Sequence, residues 1–275
     1  MKIVYSHLLN FLEKKPSLAE LSDKLFQLGH EHEIEGEVMD LEITPNRGDC
    51  LSLLGLARDL NVFYETNLNL PIHEDEIPSL SLDFINQAPE ACPEICFLKI
   101  EIDGDVSNYK DYLEDYFVDF KINKNNFFTD VGNFIAYEMG QPTHSYDYSA
   151  LDGPITLLIN EKDSQFKTLL GKNIQLKGSD LIFTDEHGVI NLAGIIGGKN
   201  SSCKENTKCV LIECAYFYPE SIIGKSVKYD LHSDASHKFE RGVDPKRLIF
   251  GERLKRQEYL ARYRVADLFL DTHPY

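Results

Sequence analysis

Tryptophan is absent from these 275 residues, and methionine occurs only three times. Two other absences say more. No apolar run approaches the ~18–20 residues that a membrane-spanning helix needs, and the start MKIVYSHLLNFLEKKP carries no signal-peptide core. A cytoplasmic chain without membrane contact is therefore expected. CxxC pairs are missing as well. Cys50, Cys92, Cys96, Cys203, Cys209 and Cys214 follow no common zinc spacing, so no metal site is expected and the thiols read as small buried hydrophobes.

Positive charge is scarce. Lys and Arg number 28 against 45 Asp and Glu, a formal net charge of −17. A module that grips a polyanion unaided usually carries a basic face, because phosphate neutralisation dominates such binding. The deficit is uneven: residues 241–275 hold eight basic and five acidic side chains, and the preceding 240 hold 20 and 40. With 43% apolar residues, the chain can bury the core of one large domain or two smaller ones.

Periodicity supplies the elements. In PSLAELSDKLFQLG (16–29), Leu18, Leu21, Leu25 and Leu28 form one helical stripe, with Ser17 and Glu20 at its start and Gly29 at its end. EVMDLEIT (37–44) predicts a short strand through Val38, Leu41 and Ile43. Pro45–Gly48 predicts a turn, and Asp49 or Ser52 is the candidate cap for a helix through LSLLGLARDLNVFY. Residues 65–81 read as a linker. Beyond it, ICFLKIEID (95–103), ITLLIN (155–160), DLIFTD (180–185), VINLAG (189–194) and CVLIECAYF (209–217) read as strands, and 109–120 and 129–140 as helices. Strands mixed irregularly with a few helices predict an α+β fold: a small N-terminal α/β domain over 1–70, a larger mixed α+β domain over 82–245, and an atypical tail over 246–275.

Four clusters could carry chemistry. TPNRGDC (44–50) is most simply a strand-to-helix turn. GQPTHSYDYSALDG (140–153) reads as a stiffened loop presenting His144 and Asp147. AGIIGG (193–198) permits close approach to a ligand but lacks phosphate-loop spacing, and a plain β-turn explains it equally well. In CVLIECAYF, Glu213 interrupts an apolar strand. Buried, it would need a partner or a cavity; by local pattern alone it faces solvent just as readily. A fifth stretch, LHSDASHKFERGVDP (231–245), is crowded with polar groups that solvent or a metal could equally explain.

Taken in order, DLEITPNRGDCLSLLGLARDL, DVGNFIAYEMGQPTHSYD, NLAGIIGGKNS, KCVLIECAYFYPESI and LHSDASHKFERGVDP resemble the bacterial phenylalanyl-tRNA synthetase β-subunit family, over residues 1 to about 245. The resemblance implies an N-terminal domain followed by an editing domain that hydrolyses tyrosine misacylated onto phenylalanine tRNA. It implies catalytic roles for His144 and Ser233 and substrate-binding roles for Glu213, Ala235, Asn133 and Gly197. Editing needs no cofactor; ATP and Mg²⁺ belong to the complete synthetase, whose α subunit performs aminoacylation. The implied partners are that α subunit and mischarged tRNA. On this reading Glu213 accepts the tyrosyl hydroxyl, Ala235 makes room for the ring, and His144 and Ser233 position ester and water. Leu231–His237 would form a wall of the pocket, with Ser233 and Ala235 pointing inward, and Asp234, His237, Glu240 and Arg241 would brace it by local ion pairs.

Departures from the family pattern are also visible. The chain passes from Gly36 to Glu37 where many members carry a tRNA-binding oligonucleotide-fold insert, and Gly132 stands where Thr is usual. After RGVDP, KRLIFGERLKRQEYLARYRVADLFLDTHPY is similar to a fragment of O-GlcNAc-transferase-type glycosyltransferases, which predicts a poorly integrated appendage without that activity. The alternative to an editing hydrolase is a truncated or chimeric, non-catalytic β-subunit segment that binds the α subunit or tRNA.

Overall fold

The computed structural model describes residues 1–68, 79–104, 106 and 109–243. The predicted tail 246–275 and most of the predicted linker lie outside the described residues.

Ser17 starts the first long helix by accepting a hydrogen bond from the Glu20 amide, as its sequence predicts. In chain order the N-terminal elements are β1 (Lys2–Val4), α1 (Tyr5–Leu9), α2 (Leu18–Gln27), β2 (Glu31–Glu35) and β3 (Val38–Glu42). A 3-10 segment (Pro45–Cys50) and α3 (Leu53–Leu60) follow. The strands form an antiparallel sheet in the order β1-β3-β2, with β2 and β3 joined directly at 36–37. In β3 the core-facing residues are Met39 and Leu41, whereas Val38 stays half-buried. The pleat puts 39 and 41 on one face and 38 on the other, so Val38 and Leu41 do not share a stripe. Ser52 caps α3, accepting from the Gly55 amide at 3.0 Å. Asp49 is engaged instead by Arg47 at 3.1 Å and by Arg58.

The predicted linker begins too early. The Glu13 amide donates to the Glu65 carbonyl at 2.9 Å and the Asn67 amide to the Phe11 carbonyl at 2.9 Å, so 65–67 belong to the N-terminal unit.

The larger part opens with β4 (Phe84–Asn86), β5 (Glu94–Glu101), α4 (Asp111–Phe120), α5 (Phe127–Met139) and β6 (Thr143–Asp147). Next come β7 (Ile155–Ile159), β8 (Ser164–Lys167), β9 (Asn173–Leu176), β10 (Leu181–Asp185), β11 (Gly188–Leu192), β12 (Ile196–Gly197) and β13 (Cys209–Tyr216). Three helices close the described chain: α6 (Pro219–Ile222), α7 (Lys225–Tyr229) and α8 (Asp234–Arg241). Among the described residues, β12-β11-β10-β7-β4 form one sheet, β5-β13-β6 a second and β8-β9 a ribbon. Among the described strand pairs only β4–β7 is parallel, and the fold is α+β.

One expectation fails locally. Residues 143–147 are a strand rather than part of a loop, paired with β13 in the register His144↔Glu213. Asp147, expected on that loop, is buried; it accepts from the Ser149 hydroxyl at 2.6 Å and the Thr207 hydroxyl at 2.8 Å. Its role is to fix the chain where β6 ends.

The two parts share a continuous apolar core. Polar contacts also cross between them: the Tyr137 hydroxyl accepts from the Val4 amide at 3.2 Å, and buried Lys238 donates to the Leu51 carbonyl at 2.8 Å. Gly48 of TPNRGDC lies so close to α8 that a Cβ there would sit 2.4 Å from the Gly242 carbonyl oxygen. The first and last of the five motifs therefore pack on each other.

Candidate functional site

Alternation along β6 and β13 decides which side chains meet. His144 and Tyr146 are two residues apart and share a face; Glu213 lies directly across from His144, and Phe97 of β5 directly across from Glu213. That face turns towards the five-stranded sheet. Phe97 meets Phe84 of β4 with ring centroids 4.8 Å apart, and Asn191 of β11 reaches Tyr146. The site is thus a polar cluster between two sheets.

Glu213, only 4% exposed, is at its centre. The Tyr146 hydroxyl donates to its Oε2 at 2.5 Å, and the Asn191 amide donates to the same oxygen at 3.3 Å and to the Tyr146 hydroxyl at 2.8 Å. Burial pushes the Glu213 carboxyl up to about 7, and the two donors pull the other way. A carboxylic acid normally half-ionised near 4.5 therefore titrates close to neutrality.

His144 is half-buried and meets Tyr146 edge-on, with ring centroids 4.4 Å apart. Burial lowers its imidazole to about 4, so it is neutral at pH 7. Its Nε2 is shielded from solvent and has no hydrogen-bond partner among the described residues. The ring lies against Gly197 of β12: a Cβ at that position would be 2.1 Å from His144 Cε1 and 2.5 Å from Nε2. Gly197 in AGIIGG is thus a seat for an imidazole, and the Gly198 amide continues the sheet by donating to the Ile190 carbonyl at 2.8 Å. The plain β-turn read there covers only the approach to β12.

Ser233 is the N-cap of α8. Its hydroxyl accepts from the Ser236 amide at 3.0 Å and donates to the Ile195 carbonyl at 2.8 Å, while the Ser236 hydroxyl completes a capping box. Its single proton is therefore committed to the 193–195 turn, which leads into Gly197. Ala235, in the first turn of α8, is half-buried against the core. The bracing expected of 231–241 is partly ionic: Lys238 lies 3.3 Å from Asp234, Arg241 donates to His237 Nδ1 at 2.9 Å, and Glu240 accepts from the Ser226 hydroxyl at 2.6 Å.

The structure brings His144, Glu213 and Gly197 together and ties Ser233 to the adjoining turn. Asn133 is different. It is exposed on α5, next to Gly132, whose Cβ would meet Thr143 Oγ1 at 3.2 Å. Tyr146 and Asn191 were not singled out in the sequence. The signal was the one that marked Glu213, a polar group within a strand, and reading 140–153 as a loop hid it for Tyr146.

Two neighbouring features are separate. A cavity of about 330 Å³ opens beside Gly198, lined in part by Phe166, Lys167, His187 and Lys199, and none of the six predicted site residues lines it. In the N-terminal unit, His30, Cys50 and Asp59 offer ligand atoms within 4.8 Å of one another. Arg47 already brings positive charge there, donating to Cys50 Sγ at 2.7 Å and to Asp59, so a metal ion would have to displace a guanidinium.

The family model described as "B3/4 domain" matches residues 91–252. This chain belongs to the B3/4 domain family. The matched range holds β5 to α8 and all six predicted site residues. The chain is 34% identical over 220 residues to the "Phenylalanine--tRNA ligase beta subunit" of Psychrobacter arcticus, covering 77% of this chain and 27% of that protein. It is 36% identical over 214 residues to the protein of the same name from Photorhabdus laumondii, again covering 77% and 27%. This B3/4 domain protein thus spans 27% of the length of the curated relatives it matches. A solved N-terminal fragment of the phenylalanyl-tRNA synthetase β subunit from Pyrococcus horikoshii aligns over 78% of this chain and 67% of that one, with TM-score 0.42 and 17% identity. No helix among the described residues is long and apolar enough to cross a membrane.

Proposed function

We propose that this chain acts as the N-terminal and editing part of a phenylalanyl-tRNA synthetase β subunit and hydrolyses tyrosine wrongly esterified to phenylalanine tRNA. The observation that carries this reading is the buried Glu213 carboxyl, set across the strand ladder from a neutral histidine. Tyrosine and phenylalanine differ by one hydroxyl. A buried acceptor built for that hydroxyl rejects the analogue lacking it, because the acceptor would be left unpaired. The small side chain of Ala235 leaves space for the ring.

In the hydrolysis, a water oxygen attacks the ester carbonyl carbon, the bond to the terminal ribose oxygen breaks, and a water proton ends on that ribose oxygen. The products are free tyrosine and uncharged tRNA. Neutral His144 accepts a hydrogen bond from the attacking water and orients it. Ser233 has no second proton to give, so it acts by holding α8 against the 193–195 turn. Catalysis rests mainly on orientation. The α subunit and tRNA are the partners of this reading.

The full chain, incubated with tyrosylated phenylalanine tRNA, is expected to release tyrosine, and Ala235→Trp is expected to abolish release by taking the space proposed for the ring. Release unaffected by Ala235→Trp would remove Ala235 from the site. No release by the unmodified chain would favour a non-catalytic segment that only binds.

A further inference from the structure

Both protein donors to Glu213 fall on one oxygen. The Tyr146 phenol and the Asn191 amide reach Oε2 at 2.5 and 3.3 Å, and Asn191 also donates to the phenol oxygen at 2.8 Å. The triangle has a fixed direction: amide to phenol, phenol to carboxylate. Oε1 takes no hydrogen bond from any described residue, although a carboxylate oxygen has room for two donors. Tyr146 itself cannot swing away easily. It is 0% exposed, and its ring lies edge-on against His144.

We infer that Tyr146 and Asn191 are positioning residues that lock the Glu213 carboxyl through Oε2 and leave Oε1 as the acceptor for a substrate hydroxyl. The pair thereby sets the preference for a hydroxylated aryl ester over a plain one. This rests on the hydrolase reading above and adds what makes its acceptor selective. A glutamate side chain left free must be ordered when substrate arrives, which weakens binding. One already clamped offers its open oxygen at no such cost. A free glutamate could also turn Oε1 towards Asn191 when phenylalanine occupies the site, relieving the penalty that rejects it. The clamp forbids that escape. The donors also favour the ionised carboxyl, the form that accepts a hydroxyl.

The test uses the full chain and the isosteric Tyr146→Phe variant, with folding checked by circular dichroism. Two measurements are made. The first is the pH midpoint of the Glu213 carboxyl by difference infrared spectroscopy, with Glu213→Gln as the reference that lacks the band. Tyr146→Phe is expected to move that midpoint upwards, since a donor to the ionised form is lost. The second is the kinetics of deacylation of tyrosylated and phenylalanylated tRNA. KM for the tyrosyl ester is expected to rise about tenfold with kcat little changed, so the tyrosine preference falls by a similar factor. An unmoved midpoint with an unchanged preference would overturn the inference. So would tighter binding of the tyrosyl ester, which would make Tyr146 a plug competing for Glu213. If the unmodified chain spares tyrosylated tRNA, the hydrolase reading fails, and the clamp then stands or falls on the midpoint alone.

Discussion

At the scale of single residues, Gly197 shows most plainly how the site excludes alternatives. The space for its side chain is filled by the His144 ring, with only 2.1 Å between a Cβ there and Cε1. Gly197→Ala must therefore push the imidazole away or shift β12. We expect a loss of about 1–3 kcal/mol in stability, read by denaturant unfolding, together with loss of any tyrosyl-ester hydrolysis. An unaltered unfolding midpoint would contradict the packing. Glu213 was only half legible in the sequence: an acid in CVLIECAYF could face either way, and burial against Phe97, Tyr146 and Asn191 decides it. Those partners lie 67 and 22 residues distant for Tyr146 and Asn191, so no local pattern could pair them.

Among the elements, α8 joins the most distant parts of the chain. Its N-cap Ser233 holds the 193–195 turn, its Lys238 holds Leu51, and its C-terminal end lies against Gly48. Ser233→Ala removes the acceptor for the Ser236 amide and the donor to Ile195. The expected loss is about 1–2 kcal/mol in thermal or denaturant unfolding, with Ser233→Thr recovering most of it. Elements with a strong apolar stripe were readable: α2 from its leucines, β10 and β13 from their apolar runs. Strand β2 was not, because EHEIE has no buried residue to mark an inner face. Strand β6 was hidden by the Gly-Gln-Pro before it and by the polar side chains that fit it for the site.

For the whole molecule, the two titratable groups of the site, Glu213 and His144, impose opposite pH dependences on stability. Folded Glu213 keeps its proton up to about 7, while the unfolded side chain loses it near 4.5. The native state then binds more protons, and stability falls as pH rises across that window. Folded His144 refuses a proton until about 4, while the unfolded ring takes one near 6.5. Stability therefore falls as pH drops from 6.5 to 4, and between 4.5 and 6.5 the two slopes oppose each other. Glu213→Gln removes the first effect, on the order of 3 kcal/mol across its window. We expect Tm of that variant to rise from pH 4 to 6.5 and stay level to pH 7.5, losing the decline expected of the unmodified chain towards pH 7. The same decline in both would place the titration elsewhere.

The net charge of −17 belongs to this scale too: it offers no net positive charge to drive binding of a polyanion, so the tRNA contact proposed above is expected to be local. Selectivity on the proposed reading therefore rests on recognition of the ester itself, with Glu213 reading a hydroxyl. The direct measurement is the ratio of deacylation rates for tyrosylated and phenylalanylated phenylalanine tRNA, in the full chain and in Glu213→Ala. A strong tyrosine preference in the unmodified chain, reduced at least tenfold in the variant, is the predicted result. A preference that survives the loss of the carboxyl would contradict it.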